Sequence, residues 1–366
     1  MARDAEIQKK EKTMPVIDAD AHVIETERTW ESIENSRSRP TLFAPADAPD
    51  NQHWVVDGKI RRRAALLRGP QASPNAQRGR AKNTATPEEA REMANLDLRL
   101  QHMDQLGIDI QILHNTLFIE AVADLPETDM EVCHSWNRWL ADIWSRGDGR
   151  FRWSCVLPLS NMNDAVDEIR FAKNNGAVAV CMRPLEASRT LPDPYFYPIY
   201  EEASSQNMAM AIHIGNGNTT VCDVMRSPYD PGSAFGLFRA MTAVACHSYI
   251  LSELPKRFPD LRWAFIEASS QWMPWVAHEV ASRSEKISAK SIFKELPIYV
   301  TCQTDDDLPY VLEYAGENSL VIGTDYGHFD PGSEVDAISI LKDRKDISDT
   351  VLKKILDENP RRLYGL

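Results

Sequence analysis

Short apolar segments alternate with amphipathic segments along most of the chain. Near-continuous apolar runs bounded by polar or turn residues are typical of parallel strands that are covered on both faces. Eight segments have this pattern: "PVIDADAHV" (15–23), "IDIQILHNT" (108–116), "FRWSCVLPL" (151–159), "AVAVCMRPL" (177–185), "MAMAIHIGN" (208–216), "RWAFIEAS" (262–269), "IYVTCQ" (298–303) and "SLVIGTD" (319–325).

Helical patterns fall between these predicted strands. The segment 86–107 begins with a Thr cap and a proline in its first turn, and it ends at Gly107. Segments that begin at residues 129, 161 and 235 carry apolar residues at spacings of three and four. Eight strands that are each followed by a helix predict a (β/α)8 TIM barrel. A doubly wound open sheet is the alternative, but the glycine-rich turn that normally follows its first strand is missing from the sequence.

Residues 14–366 are predicted to form one barrel domain, preceded by a polar tail at 1–13. The stretch 31–86 interrupts the alternation, because it is rich in Pro, Ser, Asn and Arg and has no sustained period. It follows strand one, so it would leave the barrel at the face where active sites lie. We therefore expect this irregular excursion to be a lid or substrate-covering insertion. Its basic segment "KIRRRAALLRG" (59–69) fits either a solvated loop or an anion-attracting patch over a site.

Composition narrows the class of protein. A formal net charge of −13 over 366 residues disfavours nucleic acid and anionic membranes as partners. No apolar run is long enough to span a bilayer, and the polar N-terminus does not resemble a secretory signal. The six cysteines are scattered and form no CxxC pair. We expect reduced thiols in a cytoplasmic enzyme that acts on a small molecule.

Polar and ionisable residues recur at the carboxyl ends of the predicted strands. In a closed barrel these ends meet at one mouth. Carboxylates and imidazoles that share an apolar cavity repel one another or take up protons unless a cation lies among them. Ligation by Asp, Glu and His without cysteine fits Zn, Mn or Fe. The residues are Asp20 and His22 (strand one), His114 and Asn115 (strand two), Arg183 (strand four), His213 (strand five), Glu267 (strand six), and Asp325 with His328 after it (strand eight).

Five motifs together resemble the amidohydrolase superfamily, most closely the branch that contains aminocarboxymuconate-semialdehyde decarboxylase: "IDADAHVIE", "AIHIGNGN", "RFPDLRWAFIEASSQWMPW", "GTDYGHFD" and "ENPRRLYGL". The resemblance implies a (β/α)8 barrel. It also implies that Asp20, His22 and His213 are metal ligands, and that Asp325 binds the metal or moves the proton of an attacking water. Asp18 matches an aspartate that precedes the ligand pair, and we expect it to point the same way but deeper, behind the ligands.

One position departs from the pattern of this branch. Its decarboxylases usually carry Gly-His-x-Gly-Glu after "RFPxL", whereas Glu267 stands where that histidine would fall. Glu267 is interpreted as a base, an acceptor behind the ligands or an additional metal ligand. His247 and His328 are spare imidazoles, each with either a catalytic or metal-binding role or a surface or core role. Arg183 is predicted to pair with a substrate carboxylate, next to His114 and Asn115.

Three functions remain open at this point. The first is hydrolysis or non-oxidative decarboxylation of a small, aromatic or unsaturated carboxylic acid with one divalent metal. The alternative is a dinuclear non-haem iron oxygenase, because the surplus of ligands could hold two metals. A non-catalytic barrel would show gaps in the ligand set, and the sequence has none. The resemblance also implies a homodimer.

Overall fold

The computed structural model describes residues 14–49, 51–63, 82–226, 229, 232, 234–283, 288–329 and 332–366. The predicted tail 1–13 and the segment 64–81 of the insertion lie outside the described residues. Strands run at β1 (Ile17–His22), β2 (Thr41–Phe43), β3 (His53–Val56), β4 (Lys59–Arg63), β5 (Ile110–His114), β6 (Phe151–Cys155), β7 (Ala177–Met182), β8 (Leu185–Glu186), β9 (Arg189–Thr190), β10 (Ala209–His213), β11 (Trp263–Ile266), β12 (Ile298–Cys302) and β13 (Leu320–Ile322).

The eight predicted strands form one parallel sheet in the order β1-β5-β6-β7-β10-β11-β12-β13. Its two edges meet beyond the end of β13, where the Asp325 amide donates to the Asp20 carbonyl at 2.9 Å and the His22 amide to the Tyr326 carbonyl at 2.8 Å. The predicted barrel is therefore confirmed. We call the junction of β1 with the chain from β13 to Tyr326 the seam.

Helices cover the outside of the sheet. They run at α1 (Glu88–Arg91), α2 (Leu96–Leu106), α3 (Pro126–Ser145), α4 (Met162–Asn174), α5 (Tyr197–Ser205), α6 (Thr219–Met225), α7 (Met241–Leu251), α8 (Leu254–Arg257), α9 (Met273–Ala281), α10 (Ile292–Glu295), α11 (Leu308–Ala315), α12 (Ala337–Asp343), α13 (Asp349–Lys353) and α14 (Asn359–Tyr364). Residues Glu27–Trp30, Leu117–Ile119 and Pro194–Phe196 form 3-10 turns, and Phe235–Ala240 and Lys354–Glu358 are π-helical.

The helix predicted over 86–107 is in fact two helices. Met93 has φ 54°, a left-handed conformation that ends the first helix. Asn95 then caps the second, since its side chain accepts a hydrogen bond from the Leu98 amide at 3.0 Å. Gly107 closes α2 with φ 68°, as the sequence predicts.

The insertion after β1 differs from the expectation of an irregular segment. Strands β2, β3 and β4 form an antiparallel sheet in that order. The turn Asp57-Gly58 joins β3 to β4 with both residues at positive φ, 53° and 70°. In these three short strands apolar and polar residues alternate only weakly, so the pairing between them is not evident from the sequence.

Two buried layers make up the core. Large side chains between sheet and helices form the outer layer, including Trp136, Trp153 and Trp263. Small side chains such as Ala19, Ala211 and Ala264 belong to a separate cluster inside the barrel. All six cysteines are unpaired, as expected. Among the described residues, no helix has both the length and the apolar character needed to cross a bilayer.

Candidate metal centre and active site

Four of the predicted ligands converge with Asp325 at the carboxyl ends of the barrel strands. The Nε2 atom of His22 lies 3.4 Å from a carboxylate oxygen of Asp20, of Glu267 and of Asp325. The Nε2 atom of His213 lies 3.5 Å from Asp20 and 3.3 Å from Glu267. All five side chains are at most 5% exposed. The structure therefore brings together the residues that the strand ends and the resemblance indicate.

Backbone carbonyls orient both imidazoles. His22 Nδ1 lies 2.8 Å from the carbonyl oxygen of Asn115, and His213 Nδ1 lies 3.1 Å from that of Ile214. A carbonyl oxygen only accepts, so each Nδ1 carries a hydrogen and each Nε2 faces the carboxylates. The sequence cannot indicate this role of Asn115, because every residue type has a backbone carbonyl.

This donor set fits a divalent cation. The Nε2 atoms of His22 and His213 are only 3.2 Å apart, so both can face the same cation. Asp20 Oδ1 is buried without a hydrogen-bond partner among the described residues. Burial of carboxylates without compensation is costly, and a bound cation removes that cost. Two ligand groups share His22 and Glu267: one adds Asp20 and His213, and the other adds Asp325 and His328, with the ligand atoms of each group within 4.8 Å of one another.

In the metal-free protein, the protonation of the histidine and carboxylate side chains follows from their burial and from the ionisable groups next to them. Burial lowers the pKa of His22 to about 4, which keeps this ring neutral. Burial raises the pKa of Asp20, but the adjacent His213 and His22 imidazoles outweigh it and hold that pKa well below its ordinary value. Burial lowers the pKa of His213, yet the adjacent Asp20 carboxylate raises it overall. The centre is thus a site with ionised carboxylate and at least one neutral imidazole ligand.

Two of the acidic residues are in strained conformations. Glu267 has φ 66° and Asp325 has φ 52°, in the left-handed region that non-glycine residues rarely adopt. Each such residue costs about 1–3 kcal/mol and persists where its surroundings fix it. The Glu267 amide donates to Thr301 Oγ1 at 2.6 Å, and the Asp325 amide pairs across the seam with Asp20. Both carboxylates are thereby turned towards the histidines.

Asp325 and His328 form a close pair beside the centre. Thr116 Oγ1 donates to the Val23 carbonyl at 2.8 Å and lies 2.8 Å from His328 Nε2. His328 Nδ1 lies 2.7 Å from Asp325 Oδ1. The His328 ring also stacks on His22, with ring centroids 3.8 Å apart.

Asp18 does not share the face of Asp20 and His22, contrary to expectation. The pairing of β1 with β5 shifts register between Asp18 and Ala21, which breaks the strict alternation of side chains. The Asp18 carboxylate accepts hydrogen bonds from Gln111 at 2.9 Å and from the Thr324 hydroxyl at 2.6 Å. Burial raises its pKa to about 6.

Two of the predicted substrate-binding residues, His114 and Arg183, have different surroundings. His114 is buried beside the centre, 5.2 Å from the His213 ring between centroids, and Ser154 lies 2.9 Å from its Nδ1. Arg183 is engaged by Glu186 in an ion pair of 2.5 Å and donates to the Glu120 carbonyl at 2.6 Å. His247 on α7 belongs to neither ligand group formed by the described residues.

Arg61 of β4 was not among the residues predicted for the site. It lines a cavity of about 150 Å³ together with Leu117 and Glu120, which follow β5, and Thr219 and Cys222, which follow β10. The Nη2 atom of Arg61 pairs with Asp124 at 3.0 Å, while its Nε is buried without a hydrogen-bond partner among the described residues. Only the basic composition of 59–69 pointed to this position.

Comparison with known protein families shows to which family the chain belongs. The family model described as Amidohydrolase matches residues 17–366. The chain belongs to the amidohydrolase family. The predicted superfamily, barrel and broad function, a metal-dependent hydrolase or carboxy-lyase, are therefore confirmed. A curated relative of this amidohydrolase is the 2-amino-3-carboxymuconate-6-semialdehyde decarboxylase of Dictyostelium discoideum, which is 22% identical over 288 residues, 74% of this chain and 76% of the relative.

Solved structures share the fold of this amidohydrolase. An amidohydrolase from Mycobacterium avium subsp. paratuberculosis K-10 superposes with a TM-score of 0.78 at 18% identity, over 97% of this chain and 98% of the other. The 5-carboxyvanillate decarboxylase of Novosphingobium aromaticivorans, solved with manganese and 4-hydroxy-3-methoxy-5-nitrobenzoic acid, has a TM-score of 0.64 at 17% identity and 97% coverage of both chains. At these identities the structures show a common barrel.

Proposed function

We propose that the protein removes CO2 non-oxidatively from a small, aromatic or unsaturated carboxylic acid. The observation that carries this proposal is the imidazole–carboxylate pair of His328 and Asp325, whose Nδ1 and Oδ1 atoms lie 2.7 Å apart beside the metal centre. Loss of CO2 leaves an electron pair on carbon that must take up a proton, and an imidazole beside the site can deliver it. The curated relative, itself a decarboxylase, supports the same choice.

The metal would be held by Asp20, His22 and His213, with Glu267 and Asp325 completing the site. When bound, a divalent ion supplies a Lewis acid that draws electron density from a carboxylate or hydroxyl of the substrate. We propose one ion per chain, Zn, Mn or Fe, because the Nδ1 of His328 is already engaged by Asp325. Glu267, in place of the histidine of the related decarboxylases, then acts as an additional ligand.

The acidic group of the substrate would be recognised by Arg61. Arg183, the residue first predicted for this role, is engaged by Glu186. Arg61 pairs with Asp124 through Nη2, but its Nε has no hydrogen-bond partner among the described residues, and it lines a cavity together with residues that follow β5 and β10. A guanidinium binds carboxylates through paired N–H donors. His114 ends β5 and Asn115 follows it, and their contact with substrate stays a prediction.

The insertion 31–86 would cover the site as a lid. The side chain of Asp57, in the β3–β4 turn, accepts hydrogen bonds from the Asp124 amide at 2.7 Å and from Thr128 Oγ1 at 2.7 Å, beside the start of α3. Lys59 and Arg61 both pair with Asp124. These contacts fasten the β2–β4 sheet to the loop that follows β5, next to the metal centre.

The test uses metal-loaded protein with a panel of 2-hydroxybenzoic and unsaturated carboxylic acids in D2O. We expect CO2 release and one deuterium on the vacated carbon, and we expect His328→Gln to abolish both. His102→Gln is the matched control, because His102 is hydrogen-bonded to Tyr326 at 2.8 Å but lies outside both ligand groups. Cleavage of esters or amides without CO2 release would refute decarboxylation.

A dinuclear iron oxygenase is the second candidate, and the two overlapping ligand groups favour it. Groups that share His22 and Glu267 could place two ions side by side. Metal analysis separates the candidates: two irons per chain together with substrate-dependent oxygen consumption would support the oxygenase, and one ion without oxygen consumption would exclude it.

We also propose a homodimer, as the resemblance implies. Phe235, Val244 and Trp275 are exposed apolar side chains on or next to α7 and α9, with exposures of 67%, 49% and 59%. Contiguous exposed apolar residues often mark a protein contact. Light scattering on the purified protein tests this, and a monomer at micromolar concentration would contradict it.

A further inference from the structure

Three of the acidic and imidazole ligands lie on the seam, where the barrel closes. Asp20 and His22 come from β1, and Asp325 follows β13 on the opposite side. Two backbone hydrogen bonds cross here, between Asp325 and Asp20 and between His22 and Tyr326. The separation of the two halves of the metal centre therefore depends on what supports the seam from behind.

Arg99, on α2, supports it. Its side chain is fully buried, and among the described residues no carboxylate lies within ion-pair distance of its guanidinium. Nη1 and Nη2 each donate to the His22 carbonyl at 3.3 Å. The guanidinium carbon also lies 3.6 Å from the centroid of the Tyr326 ring, a cation–π contact. A single side chain thus touches a ligand on one side of the seam and the neighbour of Asp325 on the other.

A hydrogen-bonded chain extends from Arg99 to a second crossing of the seam. Arg99 Nε donates to Gln111 Oε1 at 2.7 Å, and Gln111 Nε2 donates to Asp18 at 2.9 Å. Asp18 then accepts from the amide of Thr324 at 2.9 Å and from its hydroxyl at 2.6 Å. Thr324 directly precedes Asp325. We call Arg99, Gln111 and Asp18 the seam brace.

Burying the charged Arg99 guanidinium behind the seam costs free energy of folding, so we expect this residue to have a function. A buried charge without a direct counter-charge is disfavoured relative to an apolar side chain of similar size. Burial lowers the pKa of Arg99 to about 10, so the group remains charged at neutral pH. Its fixed fork of donors reaches the His22 carbonyl and Gln111 together, which a flexible lysine does not reproduce.

We infer that the seam brace is a positioning device for the metal centre: Arg99 holds His22 and Asp325 at the separation that a divalent ion requires, and so sets metal affinity. The inference rests on the proposed metal site. It assigns to Arg99 no contact with substrate or metal. Residues behind metal ligands commonly change affinity by about 10–100-fold when they are replaced.

The test is competition of metal-free protein with a chromophoric chelator for Zn²⁺ and Mn²⁺. We expect Arg99→Met to weaken binding by at least about tenfold and Arg99→Lys to weaken it less. Gln111→Met breaks the chain but keeps the charge, and it should weaken binding in the same direction if Arg99→Met fails to fold. A shifted d–d absorption spectrum of the Co²⁺-loaded Arg99 variant would show altered ligand geometry, which a purely structural role would leave unchanged.

Arg138→Met is the matched control. Arg138 also lies over an aromatic ring, 4.1 Å from the centroid of Phe171, and pairs with Glu168, but on α3 it contacts no ligand residue. We expect it to lower the melting temperature while it leaves affinity within twofold of wild type. Unchanged affinity in folded Arg99 and Gln111 variants would overturn the positioning role alone. A wild type that binds neither ion would overturn the metal centre itself.

Discussion

Replacing Glu267 by glutamine gives opposite results in the metal-free and the metal-loaded protein. Its carboxylate shares ligand groups with Asp20 and with Asp325, whose ligand atoms lie within 4.8 Å. Two unit charges at that distance repel by about 3.5 kcal/mol at an effective dielectric constant of 20. Below pH 6.5 the raised pKa of His213 keeps this ring protonated, and its attraction at 3.3 Å offsets one of the two repulsions and part of the other. We therefore expect Glu267→Gln to stabilise the metal-free protein by about 2 kcal/mol.

With metal present the sign reverses. Loss of a ligand carboxylate should weaken metal binding by at least about 100-fold, which removes about 2.7 kcal/mol of ligand-induced stabilisation. For a domain of this size 1 kcal/mol corresponds to about 2 °C in melting temperature. The variant should therefore melt about 4 °C higher than wild type after chelation, and its metal-induced shift should be about 5 °C smaller.

The assay is thermal denaturation followed by circular dichroism, with and without added Zn²⁺ or Mn²⁺. Glu25→Gln is the matched control: Glu25 is also a buried glutamate near the mouth, but it accepts hydrogen bonds from the amides of Thr116 and Leu117 and from Trp136. Loss of these bonds should destabilise the metal-free protein by about 1–3 kcal/mol and leave the metal-induced shift intact. If Glu267→Gln behaves like Glu25→Gln, the reasoning is wrong.

Three further predictions concern activity and pH. Asp325→Asn and His213→Ala should each abolish turnover while circular dichroism stays native; full activity in either would defeat the site assignment. Arg61→Ala should raise KM about tenfold with little change in kcat, since it loses a charge-assisted bond to substrate, whereas Lys59→Ala, which removes the other partner of Asp124, should not. Asp18 binds its proton in the folded state up to about pH 6 but releases it near 3.8 when unfolded, so the metal-free wild type should lose about 2 kcal/mol relative to Asp18→Asn between pH 4 and 7. Urea unfolding across that range measures the difference, and a constant difference would contradict the raised pKa.

The barrel strands could be predicted because burial on both faces leaves a strong local signal. Each of the eight apolar runs contains one observed strand, for example Ile298–Cys302 within 298–303. The β2–β4 sheet could not be predicted in this way, since its pairing depends on contacts between short strands of mixed polarity. The break at Met93 was missed because apolar spacing continues across it while one backbone angle changes.

The ligand residues could be predicted because ionisable side chains recur at the strand ends, which meet in a closed barrel. The groups that orient these ligands could not be predicted. Asn115 serves the centre through its carbonyl, and the brace of Arg99 forms only when α2 packs behind the seam. Arg183 shows the opposite error: its place at a strand end suggested a free cation, and only the structure shows Glu186 beside it.

The register shift in β1 has a consequence for anyone who moves this centre to another scaffold. Copying the letters Asp-Ala-Asp-Ala-His onto a regular strand would place all three acidic and imidazole side chains on one face, with Asp18 crowding the cation. In this protein a single irregularity divides one short strand between two tasks, chelation inside the barrel and bracing outside it. A transplanted site needs the irregularity as much as it needs the ligands.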